Sequence, residues 1–251
     1  METCKFSIIT VCFNSENTIR DTLDSVANQT YDNYEYIIVD GKSTDHTLDI
    51  VEEYRERFGD RLIVISEPDH GIYDAMNKGI RHSSGDVISF INADDWYEKD
   101  ALNIVAREFQ GSGLEVVYGM QREYQDDVEK ICYLKKHEFL PTQMIGFPST
   151  FISADVYKKF GVYDTKYKSS ADLDFLLKIF KSGEVSFRPV YQPISNFRLG
   201  GMSGTNVGAI ETAEVRFKYG IISKRKRNAI VFDQKVRITA KKCLKKLGLR
   251  K

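Results

Sequence analysis

The sequence predicts an α/β protein: a mostly parallel central sheet with helices on both faces. Three observations carry this expectation. Apolar, β-branched runs alternate with amphipathic helical stretches four times within about 110 residues, the order that parallel sheets with crossover helices produce. The first run, "KFSIITVCF", is apolar on nearly every residue rather than on alternate ones, as a strand buried on both faces requires. Two of the runs close on acids, at Asp40 and at Asn92–Asp95, and in such sheets ligands collect at the C-terminal ends of strands.

The elements follow in order. "KFSIITVCF" is the first strand, and "NSENTIRDTLDSVANQ" the first helix, with Ile19, Leu23 and Val26 on one face and Asn14, Ser15 or Asn17 as cap. "YEYIIVD" and "STDHTLDIVEEYRERF" form the second pair, with Leu48, Val51 and Tyr54 facing in. "LIVIS" precedes the glycine-containing helix "IYDAMNKGIRHS", and "DVISFI" precedes "KDALNIVAREFQ". After Val117 the pattern loosens. "QREYQDDVEKICYL" reads as a hairpin about Asp126–Asp127, and "PSTFISADVYKKFG" as a strand entering a short helix. "SADLDFLLKIFKSG" is a helix with a glycine stop, and "VSFRPVYQPISNFRLGGMSG" is expected to add two strands and a flexible glycine loop. One domain over 1–215 is expected, its halves meeting near 118, followed by a basic helical tail over 216–251.

Composition narrows the class. With 251 residues, 42% hydrophobic and 29% charged, the chain is an ordinary globular protein. No apolar run approaches the roughly 18 residues that span a bilayer. The N-terminal stretch reads as a strand rather than a signal peptide. Cys4, Cys12, Cys132 and Cys243 are scattered without metal-ligand spacing, which suits a cytoplasmic protein. The 36 bases and 36 acids are unevenly placed: residues 216–251 hold 14 of the bases and one acid, Asp233. A basic tail on an acidic body predicts either peripheral contact with an anionic membrane surface or a helix packed on that body. Within it Val236, Ala240, Cys243, Leu244 and Leu247 share one helical face.

The fourth strand ends in "SFINADDWYEKD". Neighbouring carboxylates repel, and desolvating an unpaired charge costs several kcal/mol. Either both acids face water at a helix N-terminus, or a cation sits there; carboxylate and amide oxygens are hard ligands suited to Mg²⁺ or Mn²⁺ carrying phosphate. Asp40 opens "DGKSTDHT" at another strand end, and "DHGIYDAMNKG" is a further strand-to-helix junction facing the same edge. In "RLGGMSG", Arg198 would neutralise diphosphate under a closing loop, or the segment is a plain connector. Trp96 either lines a pocket at this edge or anchors the next helix.

Taken together, "SIITVCFNSENTIRDTLDSVANQTYDNYEYIIVDGKSTDHTLDIV", "GIYDAMNKGI…SSGDVISFINADD" and "YKSSADLDFLLKI" resemble inverting family 2 glycosyltransferases of the GT-A fold. The resemblance is to the bacterial, non-processive type that builds cell-surface polysaccharide, and it spans residues 5 to about 180. It implies transfer from a nucleotide-diphospho-sugar, most commonly UDP-linked, to a polysaccharide or lipid-linked acceptor, with Mn²⁺ or Mg²⁺ as cofactor. It puts Thr10, Phe13, Asn14 and Asp40 where the family holds the base, with Asn77 and Asn92 as further donor contacts. Asp94 falls on the metal-binding acid, and Asp95 supports that site or joins the metal shell. Asp172 falls on the general base, with Asp174 as the alternative. This chain departs from the pattern at Asn92 for an acid, Met76 for Arg, Phe147 for His, and Ala171 for an acid.

Rival classes fit less well. A sugar-phosphate nucleotidyltransferase would carry a glycine-rich loop where "CFNSEN" stands. An inactive scaffold would not need Asp94, Asp95 and Asp172. An acidic body without an aromatic-basic platform argues against nucleic acid.

Overall fold

The computed structural model describes residues 4–110, 113–200 and 206–246, with side chains through Lys241. β1 (Phe6–Cys12), α1 (Ile19–Ala27), β2 (Tyr34–Asp40), α2 (Thr47–Glu53), α3 (Arg55–Phe58), β3 (Leu62–Ser66), α4 (Ile72–His82) and β4 (Val87–Phe90) follow the predicted alternation. The single helix expected after β2 divides at Tyr54 into α2 and α3. Every residue of β1, β2 and β4 is buried. β1 runs parallel to β2 and β4, and β2 parallel to β3.

The chain continues through β5 (Trp96–Tyr97), α5 (Ala101–Ala106), β6 (Glu115–Gln125), β7 (Val128–Tyr133), β8 (Thr150–Ser153), α6 (Ala154–Phe160), α7 (Ala171–Ser182), β9 (Ser186–Arg198), α8 (Asn206–Lys218) and α9 (Lys224–Lys246). Among the described residues, nine strands join one sheet in the order β3-β2-β1-β4-β8-β6-β9-β5, with β7 on β6. Pairing directions make β1, β2, β3, β4, β6 and β9 run one way and β5, β7 and β8 the other. The C-terminal ends of the first group therefore share one edge.

Residues 186–198 form one 13-residue strand, not the two expected. Pro189 and Pro193 suggested a break, since proline donates no ladder hydrogen bond. β9 accommodates both by slipping register against β6 around Met120. Gly119 makes room there, because a Cβ would collide with Ile194. The hairpin about Asp126 and Asp127 forms as predicted, with φ of 52° and 58°, the left-handed pair that tight hairpins need. β5 was not foreseen. Two residues are too few to show a period.

Alternate residues of β1 and β2 feed two cores. Phe6, Ile8, Tyr36 and Ile38 pack on the α1, α2, α3 and α5 side. Ile9, Val11, Ile37 and Val39 pack on the side of α4, α6 and α7. α4 lies close on β1, since a Cβ on Gly79 would stand 2.5 Å from Ile9. Each large apolar side chain buried this way contributes about 1.5–3 kcal/mol.

The C-terminal region is helical, but α8 runs from Asn206 through Lys218, across the boundary expected at 215–216, and α9 follows from Lys224. α9 turns Ile230, Val231 and Ile238 partly inward and pairs Arg227 with Glu214 of α8 at 3.4 Å. Val236 of the predicted stripe is 51% exposed, and Phe232 beside it is 71% exposed. The side chains of Cys243 and Leu244, and Leu247 altogether, lie outside the described residues. No helix among those described is long and apolar enough to cross a membrane.

Candidate active site

The loop after β4 is built by its own side chains and by α1. Thr22 of α1 donates its hydroxyl to the carbonyls of Asn92 (3.2 Å) and Asp95 (2.7 Å). The Asn92 amide donates to Asp95 Oδ2 at 3.1 Å, and the Arg198 backbone N–H donates to Asp95 Oδ1 at 3.0 Å. Both Asp95 oxygens are thus engaged, and the residue is fully buried. Burial, and then the charge of Asp94, push the Asp95 carboxyl well above the ordinary range. Asp94 stays partly open to solvent, its carboxyl raised by burial. The expected metal pair therefore divides into one accessible carboxylate, Asp94, and one that fixes the loop from behind.

Arg198, expected to meet a diphosphate, is engaged by protein groups. Its guanidinium donates to the Asp94 carbonyl (3.2 Å) and to Asp21 of α1 (3.0 Å), and lies 5.0 Å from the Trp96 ring centroid. Arg198 ties the end of β9 to α1. Of the glycine loop that follows, residues 201–205 lie outside those described.

At the end of β1, Phe13 is 60% exposed, and Asn14, at φ 50°, accepts the Thr44 N–H at 2.9 Å. Thr10 sits deeper than expected. It is fully buried, donates to the Ile91 carbonyl at 2.7 Å and meets the Tyr36 hydroxyl at 2.9 Å. Asp40 is also fully buried, accepting from Ser66 (2.7 Å), Lys42 N–H (3.1 Å) and Ser43 N–H (3.1 Å). It shapes the 41–43 turn rather than presenting its carboxylate. Asn77 is likewise internal, its amide exchanging two hydrogen bonds with the Tyr163 backbone at 2.8 and 3.0 Å. Full pairing in the core explains all three: a buried polar group without a partner is costly.

Two residues absent from the sequence-based site set stand at this edge. Asp69 lies so close over Gly41 that a Cβ there would collide with its carboxylate, and the same Cβ would stand 3.4 Å from Phe13. The available signal was its position just beyond β3, another C-terminal strand end. Tyr73, in the first turn of α4, donates its hydroxyl to Asp172 Oδ1 at 2.9 Å. No sequence pattern announces that contact, which joins residues 99 positions apart.

Asp172 and Asp174 begin α7, two residues apart on nearly opposite faces. Asp172 takes the Tyr73 hydroxyl and the Leu173 N–H, both on Oδ1, and burial raises its carboxyl above the ordinary value. Asp174 points away and holds Lys218 of α8 at 2.7 and 2.9 Å. Of the two, Asp172 has a carboxylate oxygen left over for chemistry.

Among the described residues no three His, Cys, Asp or Glu side chains converge as a self-sufficient metal site. A single accessible carboxylate fits a hard cation that completes its shell with substrate phosphates.

A sheet of this order, with its open carboxylates at the C-terminal strand edge, is the GT-A glycosyltransferase architecture. The chain is similar in fold to S. aureus TarS 1–349 in complex with UDP-GlcNAc, with a TM-score of 0.70 at 20% identity over 90% of this chain and 70% of that one. It is similar also to mannosyltransferase PcManGT from Pyrobaculum calidifontis in complex with GDP-Man and Mn²⁺, with a TM-score of 0.66 at 18% identity over 94% and 70%. The family model for glycosyl transferase family 2 matches residues 7–167. The "PGL/p-HBAD biosynthesis glycosyltransferase" of Mycobacterium bovis (strain BCG / Pasteur 1173P2) is 33% identical over 207 residues, 80% of each chain. The chain belongs to glycosyl transferase family 2, and it is a glycosyltransferase.

Proposed function

We propose that the chain transfers a sugar, with inversion, from a nucleotide-diphospho-sugar to a polysaccharide or lipid-linked oligosaccharide, and that the donor is UDP-linked. The observation that carries this reading is the selection of one open carboxylate from each acidic pair, Asp94 and Asp172, along one sheet edge. The cleft formed by Phe13, the 41–43 turn and Asp69 suits a nucleobase against an exposed aromatic ring. Asn14 and Asn92 offer polar contacts beside it, with Asn92 toward the ribose.

Asp94 would hold Mn²⁺ or Mg²⁺ together with the diphosphate oxygens, with Asp95 bracing it. The bound cation supplies charge neutralisation of the departing diphosphate. Asp172 Oδ2 takes the proton of the acceptor hydroxyl, whose oxygen attacks the anomeric carbon from the face opposite the leaving group. One C–O bond forms while the bond to diphosphate breaks, so inversion follows without a covalent enzyme intermediate. A base raised toward neutral pH by burial accepts that proton more effectively than an ordinary carboxylate.

The basic tail is proposed to lie on the anionic inner face of the cell membrane, holding the site near a lipid-linked acceptor. Exposed Phe232 and Val236, opposite the inward Ile230, Val231 and Ile238, support this reading. Lys235 lies beside them, at roughly 1 kcal/mol per cation near anionic lipid, while Arg237 is paired with Asp233.

The test is a screen of nucleotide sugars for Mn²⁺-dependent hydrolysis and transfer, run with anionic vesicles present. UDP-sugar turnover that chelation abolishes is expected, with low-salt vesicle binding that Phe232→Ser weakens. Turnover that is indifferent to Asp94→Asn sinks the metal assignment, and a chain that ignores vesicles at low salt sinks the membrane one.

A further inference from the structure

A groove separate from the Phe13–Asp69 cleft opens between α1, β5 and the β6–β7 hairpin. Its volume is about 660 Å³, and Asp21, Asp24, Trp96, Tyr124, Asp127 and Arg198 line it. This size is typical of ligand sites. Trp96 and Tyr124 form its aromatic wall, with ring centroids 5.0 Å apart at an interplanar angle of 48°. Both rings keep part of their surface open to solvent. Partly exposed aromatic rings pack apolar surface while leaving polar rims wet.

The charges around this wall are already paired. Arg198 bonds Asp21 at 3.0 Å and stands 3.6 Å from Asp127. Arg57, just outside the groove, bonds Asp24 at 2.8 Å and the Asn28 side-chain carbonyl at 2.5 Å. That leaves Lys99 as the remaining cation among the lining residues. A phosphate or other anion would meet Lys99 beside three carboxylates, Asp21, Asp24 and Asp127, and to reach Arg198 it would have to displace a carboxylate from the guanidinium. A neutral, hydroxyl-rich ligand meets no such cost, since carboxylate oxygens in salt bridges retain lone pairs for hydroxyl donors.

The groove also meets the Asp94–Asp95 loop, through adjoining Trp96 and through Arg198. Arg198 donates its backbone N–H to Asp95 and its guanidinium to the Asp94 carbonyl, while its side chain covers Trp96. Whatever stacks on Trp96 therefore presses on the residue that fixes the Asp94–Asp95 loop.

We propose that this groove is a carbohydrate subsite for a neutral oligosaccharide, engaging acceptor sugar units away from the hydroxyl that reacts. Pyranose C–H faces lie on Trp96 and Tyr124, and ring hydroxyls donate to Asp21, Asp24 and Asp127. The assignment to the acceptor rests on the glycosyltransferase reading above; the carbohydrate binding itself does not.

Trp96 is the single tryptophan of the chain, so its fluorescence reports on this groove. The full chain is titrated with maltohexaose, cellohexaose, mannohexaose and a sulfated hexaose, each with and without saturating UDP. Saturable change in emission with at least one neutral hexaose, weaker response to the sulfated one, and persistence in UDP are expected. Tyr124→Ala should raise the half-saturating concentration about tenfold, and the acceptor KM by a similar factor while kcat changes less than twofold. Emission that no neutral hexaose alters overturns the proposal, as does a preference for the sulfated sugar or competition by UDP. Unchanged binding in both Tyr124→Ala and Asp127→Ala overturns it too. Saturable binding in a chain that turns over no nucleotide sugar would leave the subsite standing and refute the donor reading instead.

Discussion

Asp94–Asp95 and Asp172–Asp174 are two acidic pairs built on opposite principles. The first sits on a tight loop after a buried strand, where adjacent carboxylates cannot both be hydrated. Asp95 is buried whole and satisfied by Asn92 and Arg198, which leaves Asp94 open. The second sits on a helix, where a spacing of two sends the side chains apart. There Asp174 is drawn to Lys218 and Asp172 to Tyr73. Crowding leaves one acid open in the first pair, and helix geometry does so in the other. In both, the companion acid is structural, and in both its partner comes from beyond residue 190: Arg198 or Lys218. The late part of the chain therefore prepares a site whose chemistry lies earlier.

The comparison breaks first at Asp94. Asp94→Asn should reduce transfer about 10³-fold and weaken UDP binding in Mn²⁺, with the far-UV spectrum unchanged. Normal turnover in this variant would mean that Asp95, despite its burial, is the working acid.

Asp172→Asn comes next, with an expected loss in kcat of about 10²–10⁴ and little change in donor Kd. Measured donor affinity separates it from Asp94→Asn. A comparable fall in donor binding would move Asp172 into the nucleotide site.

A smaller effect sharpens the second pair. As the proposed base, Asp172 would act as the ionised carboxylate, so kcat should fall as pH drops through its pKa. Burial places that limb above the ordinary carboxylate value of about 3.9. The Tyr73 hydroxyl favours the ionised form, so Tyr73→Phe should move the acid limb to higher pH and spare the high-pH plateau. A kcat profile that does not shift would detach Tyr73 from the base.

The smallest catalytic change is expected for Asp174→Asn. It breaks a largely buried ion pair with half-exposed Lys218, costing about 1–3 kcal/mol, or roughly 2–4 °C in Tm for each kcal/mol. Turnover per folded molecule should stay within about twofold of the parent, because only contacts made in the transition state affect kcat. A collapse of activity here, with Asp172→Asn nearly silent, would exchange the two roles.

Local chemistry carried much of this architecture into view. Runs such as 6–12 and 34–40 are apolar throughout because helices cover both faces, and the alternation of such runs with amphipathic helices dictates a parallel sheet. Asn92, Asp94 and Asp95 were legible because polar residues closing an apolar strand are conspicuous, whereas Asp172 was singled out only through the family resemblance. Two-residue β5 and the unbroken β9 were not legible, since one is shorter than any period and the other carries two prolines that a register slip absorbs.

What only the tertiary structure decided is which polar groups are free. Thr10, Asp40 and Asn77 occupy plausible site positions along the chain, yet each finds its partners in the core. Asp69 and Tyr73 reach the edge through neighbours far away in sequence. Periodicity and strand-end chemistry are properties of a few consecutive residues, so the sequence by itself determined the sheet, its helices and the edge where the acids gather. Burial and hydrogen-bond partnership depend on residues up to about a hundred positions apart, so the division of those acids into open and engaged members waited on the folded chain.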